Sequence, residues 1–217
     1  MQQIPLVTGE YYHIYNKSIA GYQIFNGEKE FLRMIEVLRL SRSVDATIPL
    51  SQLMKLETPK ILRRKASLEE EENIVRILAY CLMPTHLHLI LQQKQESGIS
   101  KFMSRIQNSY ARFFNLRHVR KGPLWQGRFK RIWIENDLHL LHETRYVHLN
   151  PVTAYLVEDP AAWPHSSYGE YLTTNPSKES FCEFRDLIDM KPSFYRKFVL
   201  SDKENQRARA KAKRKAL

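Results

Sequence analysis

The sequence predicts an α+β fold in which an antiparallel β-sheet carries helices packed on one face. Three observations lead there. Two apolar runs, IVRILAYCLM at 74–83 and HLHLILQQ at 86–93, flank the turn residues Pro84 and Thr85 and read as an antiparallel strand pair. Between 99 and 116, Ile99, Phe102, Met103, Ile106, Tyr110, Phe113 and Phe114 recur at the spacing of one helix face. Aromatic and β-branched segments at 11–16 (YYHIYN) and 129–135 (FKRIWIE) supply further strands. Strands interleaved with about three helices make a two-layer sandwich.

Along the chain, the strand at 11–16 comes first. The turn residues of 21–27 precede a helix over 28–42, marked by Phe31, Leu32, Ile35, Leu38 and Leu40. Residues 43–73 break the pattern with two prolines, scattered apolar residues, a basic run at 63–65 and four glutamates at 69–72, and read as an insertion outside the core. After the hairpin and the second helix, 117–127 (RHVRKGPLWQG) reads as a basic loop exposing Trp125. Asn136 and Asp137 cap a helix expected to run to Asn150 and to stop at Pro151. Further helices are expected around 167–172, 181–190 and 193–201. From 206 the chain reads QRARAKAKRKAL, a basic run expected to be a disordered arm.

Composition sets the class of partner. With 43 % hydrophobic and 11 % aromatic residues the chain supports a packed globule. It shows neither an apolar stretch of membrane-spanning length nor a signal-peptide pattern at its start, which predicts no membrane partner. Cys81 and Cys182 make no disulfide framework, and a cytoplasmic location with reduced thiols is expected. The 34 Lys and Arg against 23 Asp and Glu leave a formal charge of +11, an excess that favours polyanions and nucleoid association.

Chemistry gathers in two places. On a strand, His86 and His88 point to one face while Leu87, Leu89 and Leu91 face the other, and two neighbouring neutral imidazoles suit a divalent metal. On the helix beginning at Asp137, the residues His139, Glu143, Tyr146 and Asn150 form one polar stripe on an otherwise apolar cylinder. Such a stripe faces either solvent or the histidine pair. In the second case Asn150, ahead of Glu143, supplies a third metal ligand, and Tyr146 presents its phenol oxygen to whatever the metal polarises. Tyrosine is a poor nucleophile at its ordinary pKa and requires a base or a cation beside it.

Six fragments, in order, carry a family resemblance: YYHIYNKSI, YCLMPTHLHLIL, SYARFFN, GPLWQGRFK, RYVHLNPV and WPHSSYGEY. Together they resemble the tyrosine transposases of the IS200/IS605 type, in the branch associated with repetitive extragenic palindromes. The resemblance implies a ferredoxin-like antiparallel sheet and a catalytic domain over 1–172. A helical extension at 173–205 and the basic tail at 206–217 would follow that domain. It also implies cleavage and rejoining of single-stranded or hairpin DNA through a 5′-phosphotyrosine, with Mg²⁺ or Mn²⁺. Position by position, it assigns His86 and His88 to the metal, Tyr146 to the nucleophile and Asn150 to the amide ligand one turn later. Thr85 stands where Asn is usual in the family and Thr153 where Arg is usual.

For DNA contact, Arg117, Arg120, Lys121, Trp125, Arg128, Lys130 and Arg131 form the densest basic and aromatic cluster, with Arg112 on the preceding helix. Two other functions fit some of these features: a domesticated protein that binds palindromic hairpins without moving DNA, and a metal-dependent phosphoesterase. The sequence is compatible with a monomer or a homodimer.

Overall fold

The computed structural model describes residues 4–44, 72–177 and 180–215. All but the ends of the expected 43–73 insertion lie outside the described residues, and those ends meet where Ser43 and Asn73 form an antiparallel bridge. The elements run β1 (Tyr11–Lys17), α1 (Glu28–Ser41), β2 (Val75–Met83), β3 (His86–Gln93), α2 (Gly98–Arg117) and β4 (Lys130–Ile134). The strands lie in the order β2-β3-β1-β4, each antiparallel to its neighbours. This βαββαβ arrangement is the ferredoxin-like sheet that the motifs imply.

Strand alternation divides the side chains between two cores. One face carries Tyr12 and Ile14 of β1 with Leu87, Leu89 and Leu91 of β3, all fully buried against α1 and α2. Phe102, Met103, Ile106, Tyr110 and Phe114 of α2 complete this core, as the helical spacing predicts. Burying each such side chain contributes roughly 1.5–3 kcal/mol, so a one-residue slip of β3, which would put His86, His88 and Ile90 where Leu87, Leu89 and Leu91 stand, is strongly disfavoured. The start of α2 is pressed against the end of the strand segment: a Cβ at Gly98 would lie 2.2 Å from the Ile74 carbonyl oxygen, so no larger residue fits without a backbone shift.

The opposite face is covered as well. Here α3 (Asp137–Thr153) packs Leu140, Val147 and Val152 against Cys81, Ile90 and Ile134. Beside it lie the short helix α4 (Tyr168–Tyr171) and α5 (Pro192–Leu200), with Tyr168, Tyr171, Tyr195 and Val199 buried. Helices thus pack on both faces of the sheet, α1 and α2 on one and α3 on the other.

Three local expectations are corrected. The segment 181–190 is not helical: the Glu183 amide donates to the Ile77 carbonyl at 2.9 Å, Phe181 stacks on Tyr80 in one core, and Phe184 stacks on Tyr171 in the other. Its apolar residues serve two faces, which a single helix could not do. Pro151 does not end α3, which continues to Thr153. Proline lacks the N–H that would reach the Val147 carbonyl, and the Asn150 side-chain amide approaches that oxygen instead at 3.4 Å. The basic segment expected to be disordered from residue 206 belongs to α6 (Lys203–Lys215). Alanine, lysine and arginine are good helix formers, and the helix is tied down where Gln206 Nε2 donates to the Tyr146 carbonyl at 3.2 Å and Arg207 Nε to the Val152 carbonyl at 3.2 Å.

Candidate active site

The site forms on the sheet face turned to α3. The antiparallel register pairs Tyr15 with His88 and Lys17 with His86, so His13, Tyr15, Lys17, His86 and His88 share one surface. The rings of His86 and His88 are 5.1 Å apart, centroid to centroid. Asn136 caps α3 by accepting from the His139 amide at 2.9 Å, which starts the helix at the register that points its polar stripe at these rings. Tyr146 then stands 5.9 Å from His88 and 5.6 Å from His13, ring centre to ring centre. The stripe faces the histidine pair and not solvent alone: Tyr146 remains 37 % exposed, within reach of a ligand arriving from outside.

His13 is the residue that sequence reasoning missed. Its Nε2 lies 2.9 Å from His88 Nδ1, and its Nδ1 lies 2.6 Å from a carboxylate oxygen of Glu143. Glu143 turns its other oxygen to His139 Nε2 at 3.7 Å. Nothing local in YYHIYN marks His13; a histidine at an inward strand position was the available signal, and only the pairing of β1 with β3 places it diagonally across from His88.

Burial sets the protonation states. It drives His86 down to about 4, with Lys17 adding repulsion, and holds His88 well below its ordinary value, with His13 and His86 adding to the effect. Both rings are neutral at pH 7 and offer lone pairs. Burial resists ionisation of Glu143, but His13 and His139 outweigh it and keep the carboxyl below its usual range. Burial, followed by the charges of Glu143 and Tyr15, pushes the Tyr146 phenol up, so it is protonated near neutrality and requires activation.

The donor set fits a divalent cation. Nδ1 of His86 is bonded to Thr85 Oγ1 at 2.9 Å and Nδ1 of His88 to His13, which leaves the Nε2 atoms as the nitrogens without a protein partner among the described residues. Asn150 donates its amide nitrogen back to the Tyr146 carbonyl at 2.9 Å, so its side-chain oxygen is the atom left to act as a ligand. Among the described residues no cluster of three His, Cys, Asp or Glu side chains has metal-site geometry.

The expected DNA-contacting cluster divides. Trp125 is buried, donates Nε1 to the Gln107 carbonyl at 3.1 Å and packs on Tyr110, so the expectation of an exposed stacking residue is corrected. Arg120 braces its own loop through Asn115, Gly122 and Pro123, and Arg117 pairs with the buried Glu30 at 2.8 Å. Arg112, Lys121, Arg128 and Lys130 are exposed. Of these, Lys130 pairs with Tyr15 in register and stands on the histidine face, with Lys17 beside it; Arg131 alternates to the other face, and Arg112 lies on α2, across the sheet.

A family model described as Transposase IS200 like matches residues 51–150, the span that contains His86, His88, Tyr146 and Asn150. Over that span the chain is similar to the IS200-like transposases. A Haemophilus influenzae protein named "Putative REP-associated tyrosine transposase" is 28 % identical over 101 residues, covering 42 % of this chain. The chain spans 57 % of that relative's length. A solved structure of a REP-associated tyrosine transposase bound to a REP hairpin superposes with a TM-score of 0.55 at 15 % identity, over 88 % of this chain and 94 % of that one. The likeness shows a shared fold. No helix among the described residues is long and apolar enough to cross a membrane.

Proposed function

We propose that this chain cleaves and rejoins single-stranded DNA, with Tyr146 as nucleophile and His86, His88 and Asn150 holding Mg²⁺ or Mn²⁺. The observation that carries the reading is that Tyr146 of the same chain stands beside His88, at 5.9 Å between ring centres, on the open side of the pair. In the reaction the Tyr146 oxygen attacks phosphorus and loses its proton to a base at the site or to water. The P–O3′ bond breaks, the 3′-oxygen takes up a proton, and the 5′-phosphate remains esterified to Tyr146. Attack by a 3′-hydroxyl on that ester reverses the sequence and reseals a strand. A divalent ion, when bound, withdraws charge from the phosphate and favours the phenolate. The protein's own share is positional: α3 holds the phenol in place, and Lys17 and Lys130 supply positive charge on the same sheet face for the phosphates.

Hairpin or palindromic DNA is the substrate we favour, because the structurally similar transposase is bound to such a hairpin. The test is incubation of hairpin-bearing single-stranded DNA with the full chain and Mn²⁺ or Mg²⁺. A covalent protein–DNA adduct is expected, lost in Tyr146→Phe; an adduct that persists in the variant removes Tyr146 from the role. Metal-dependent turnover of phosphoesters without any adduct would favour the phosphoesterase instead.

A further inference from the structure

We infer that a pocket between the end of α3 and α6 takes one nucleotide of the strand cleaved at Tyr146, its base stacked on Tyr155 and its phosphate at Lys211. The inference rests on the DNA-cleavage reading above and adds a binding site to it. Thr153, Tyr155, Arg207, Ala210 and Lys211 line the pocket, whose volume is about 250 Å³. Pockets for drug-sized ligands hold roughly 300–1,000 Å³, so this one suits a single ring system. Its place follows from the helix period. The polar stripe of His139, Glu143, Tyr146 and Asn150 takes its next step of three at Thr153, the last residue of α3. Thr153 lies two turns beyond Tyr146, about 10 Å along the axis. At the duplex spacing of about 3.4 Å per nucleotide of one strand, that distance is about three nucleotides. A strand that meets Tyr146 and runs along α3 therefore reaches the pocket close to the cleaved bond.

Folding alone does not explain Tyr155. It stands at φ +59°, a left-handed conformation that is costly for a bulky side chain. The turn closes α3 through the Tyr155 amide to the Val152 carbonyl at 3.1 Å and the Leu156 amide to the Pro151 carbonyl at 2.9 Å. Glycine is the usual residue at such a position, and tyrosine gains little burial there, at 62 % exposure. The Arg207 guanidinium covers one face of the ring, 4.6 Å from its centre, and the exposed ring offers its other face to a base. Arg207 is itself held by the Val152 carbonyl at 3.2 Å and by both oxygens of Glu158 at 3.1 Å. Its charge is therefore spent on Glu158, to which Lys203 also donates at 2.7 Å, and its role is to back the ring. The exposed Lys211 supplies the cation for the phosphate. Thr153 Oγ1 is buried without a hydrogen-bond partner among the described residues, and a rotation about χ1 lets it donate to a phosphate oxygen in the pocket it lines. An open aromatic face beside a lysine is the combination that holds single strands.

The experiment measures binding of fluorescent oligothymidylate and hairpin DNA to the full chain by anisotropy at several salt concentrations. The same strand carrying 5-iodouracil is photo-crosslinked and the attached peptide is mapped by mass spectrometry, and thermal unfolding is recorded for every variant. Tyr155→Gly, which fits the positive φ, is expected to weaken binding about 5–150-fold, the worth of one base stacked on an aromatic ring. Tyr155→Phe, which keeps the ring, should bind within about twofold of the natural chain. Lys211→Ala should weaken binding and lower the salt slope by about 0.7, the share of one phosphate on a single strand. Thr153→Val, which removes an unpartnered hydroxyl, should unfold at no lower temperature than the natural chain and yet bind less tightly. Crosslinks are expected on the peptide that contains Tyr155. If Tyr155→Gly fails to fold, Lys211→Ala and the crosslink map decide. Binding unchanged within twofold in Tyr155→Gly and Lys211→Ala overturns the pocket and leaves the DNA reading standing. A loss in Tyr155→Phe equal to that in Tyr155→Gly, or crosslinks only on other peptides, also overturns it. Thymidine 5′-monophosphate that binds as tightly as the strand and is lost in Tyr155→Gly assigns the pocket to free nucleotides and overturns its place on the strand. No binding of either DNA by the natural chain overturns the DNA reading itself, and the pocket with it.

Discussion

Two buried histidines, His88 and His148, both lie between the sheet and helix α3, and they are equipped for different work. His148 is closed: one ring nitrogen meets the Tyr195 hydroxyl at 2.7 Å and the other the Ser167 hydroxyl at 2.8 Å. Ser167 in turn donates to the Tyr80 carbonyl and accepts from the Tyr80 amide, so the network ends in the backbone of β2. His88 is open: one nitrogen is held by His13 and the other has no partner among the described residues. The closed ring is spent on joining α3, α4, α5 and the sheet. The open ring keeps a donor pair in reserve, at a place where Tyr146 and solvent both arrive. Burial alone therefore does not distinguish a structural histidine from a ligand; the count of satisfied nitrogens does.

This contrast can be broken by substitution. The largest effect is expected for His88→Ala, which should reduce metal-dependent adduct formation by more than the roughly 10–100-fold of an outer partner while the chain still unfolds cooperatively; gel assays of the covalent complex read this. His148→Leu should do the reverse. It removes the His148 partner of the Tyr195 hydroxyl, at a cost of about 1–3 kcal/mol, while Ser167 keeps its bonds to Tyr80, so urea unfolding should show a loss of that size, with adduct formation retained by the folded fraction. If His148→Leu abolished the adduct without loss of stability, the distinction between open and closed rings would fail.

A pH titration of stability sharpens the same point. Burial holds His148 down at about 3 in the folded chain, below its ordinary 6.5. The unfolded chain therefore binds the proton first, so the contribution is complete above about pH 6.5 and is lost as pH falls toward 3. The full swing is on the order of 5 kcal/mol at 1.36 kcal/mol per pKa unit. Unfolding free energies measured from pH 7 to 4 should fall less steeply in His148→Leu than in the natural chain. The smallest expected effect belongs to the open side: Lys130→Ala should weaken single-stranded DNA binding across all sequences and reduce the salt slope by about 1, read by fluorescence titration at several salt concentrations.

Much of this arrangement was legible in the residues. The alternation in HLHLILQQ separated the leucines from the histidines, and the 3- and 4-residue spacing of 99–116 identified α2, because both signals are periodic and local. The stripe His139, Glu143, Tyr146 and Asn150 was legible for the same reason. What failed was non-periodic. Trp125 looked like a surface aromatic in a basic loop, yet it closes the core beneath α2. The 181–190 segment read as a helix, yet its phenylalanines are shared between two cores. The basic end read as disordered by composition, yet Gln206 and Arg207 find carbonyls on α3.

By itself the sequence determined which side chains share a face and which residue types are present for chemistry, since strand and helix periods need no partner. Tertiary structure alone decided what stands opposite those faces. The pairing of β1 with β3 brought His13 to His88, α3 brought Glu143 and Tyr146 over both, and the packing of α4 and α5 satisfied His148. These are contacts between residues up to 133 positions apart, as for His13 and Tyr146, and strand register and helix packing set them, not the local pattern.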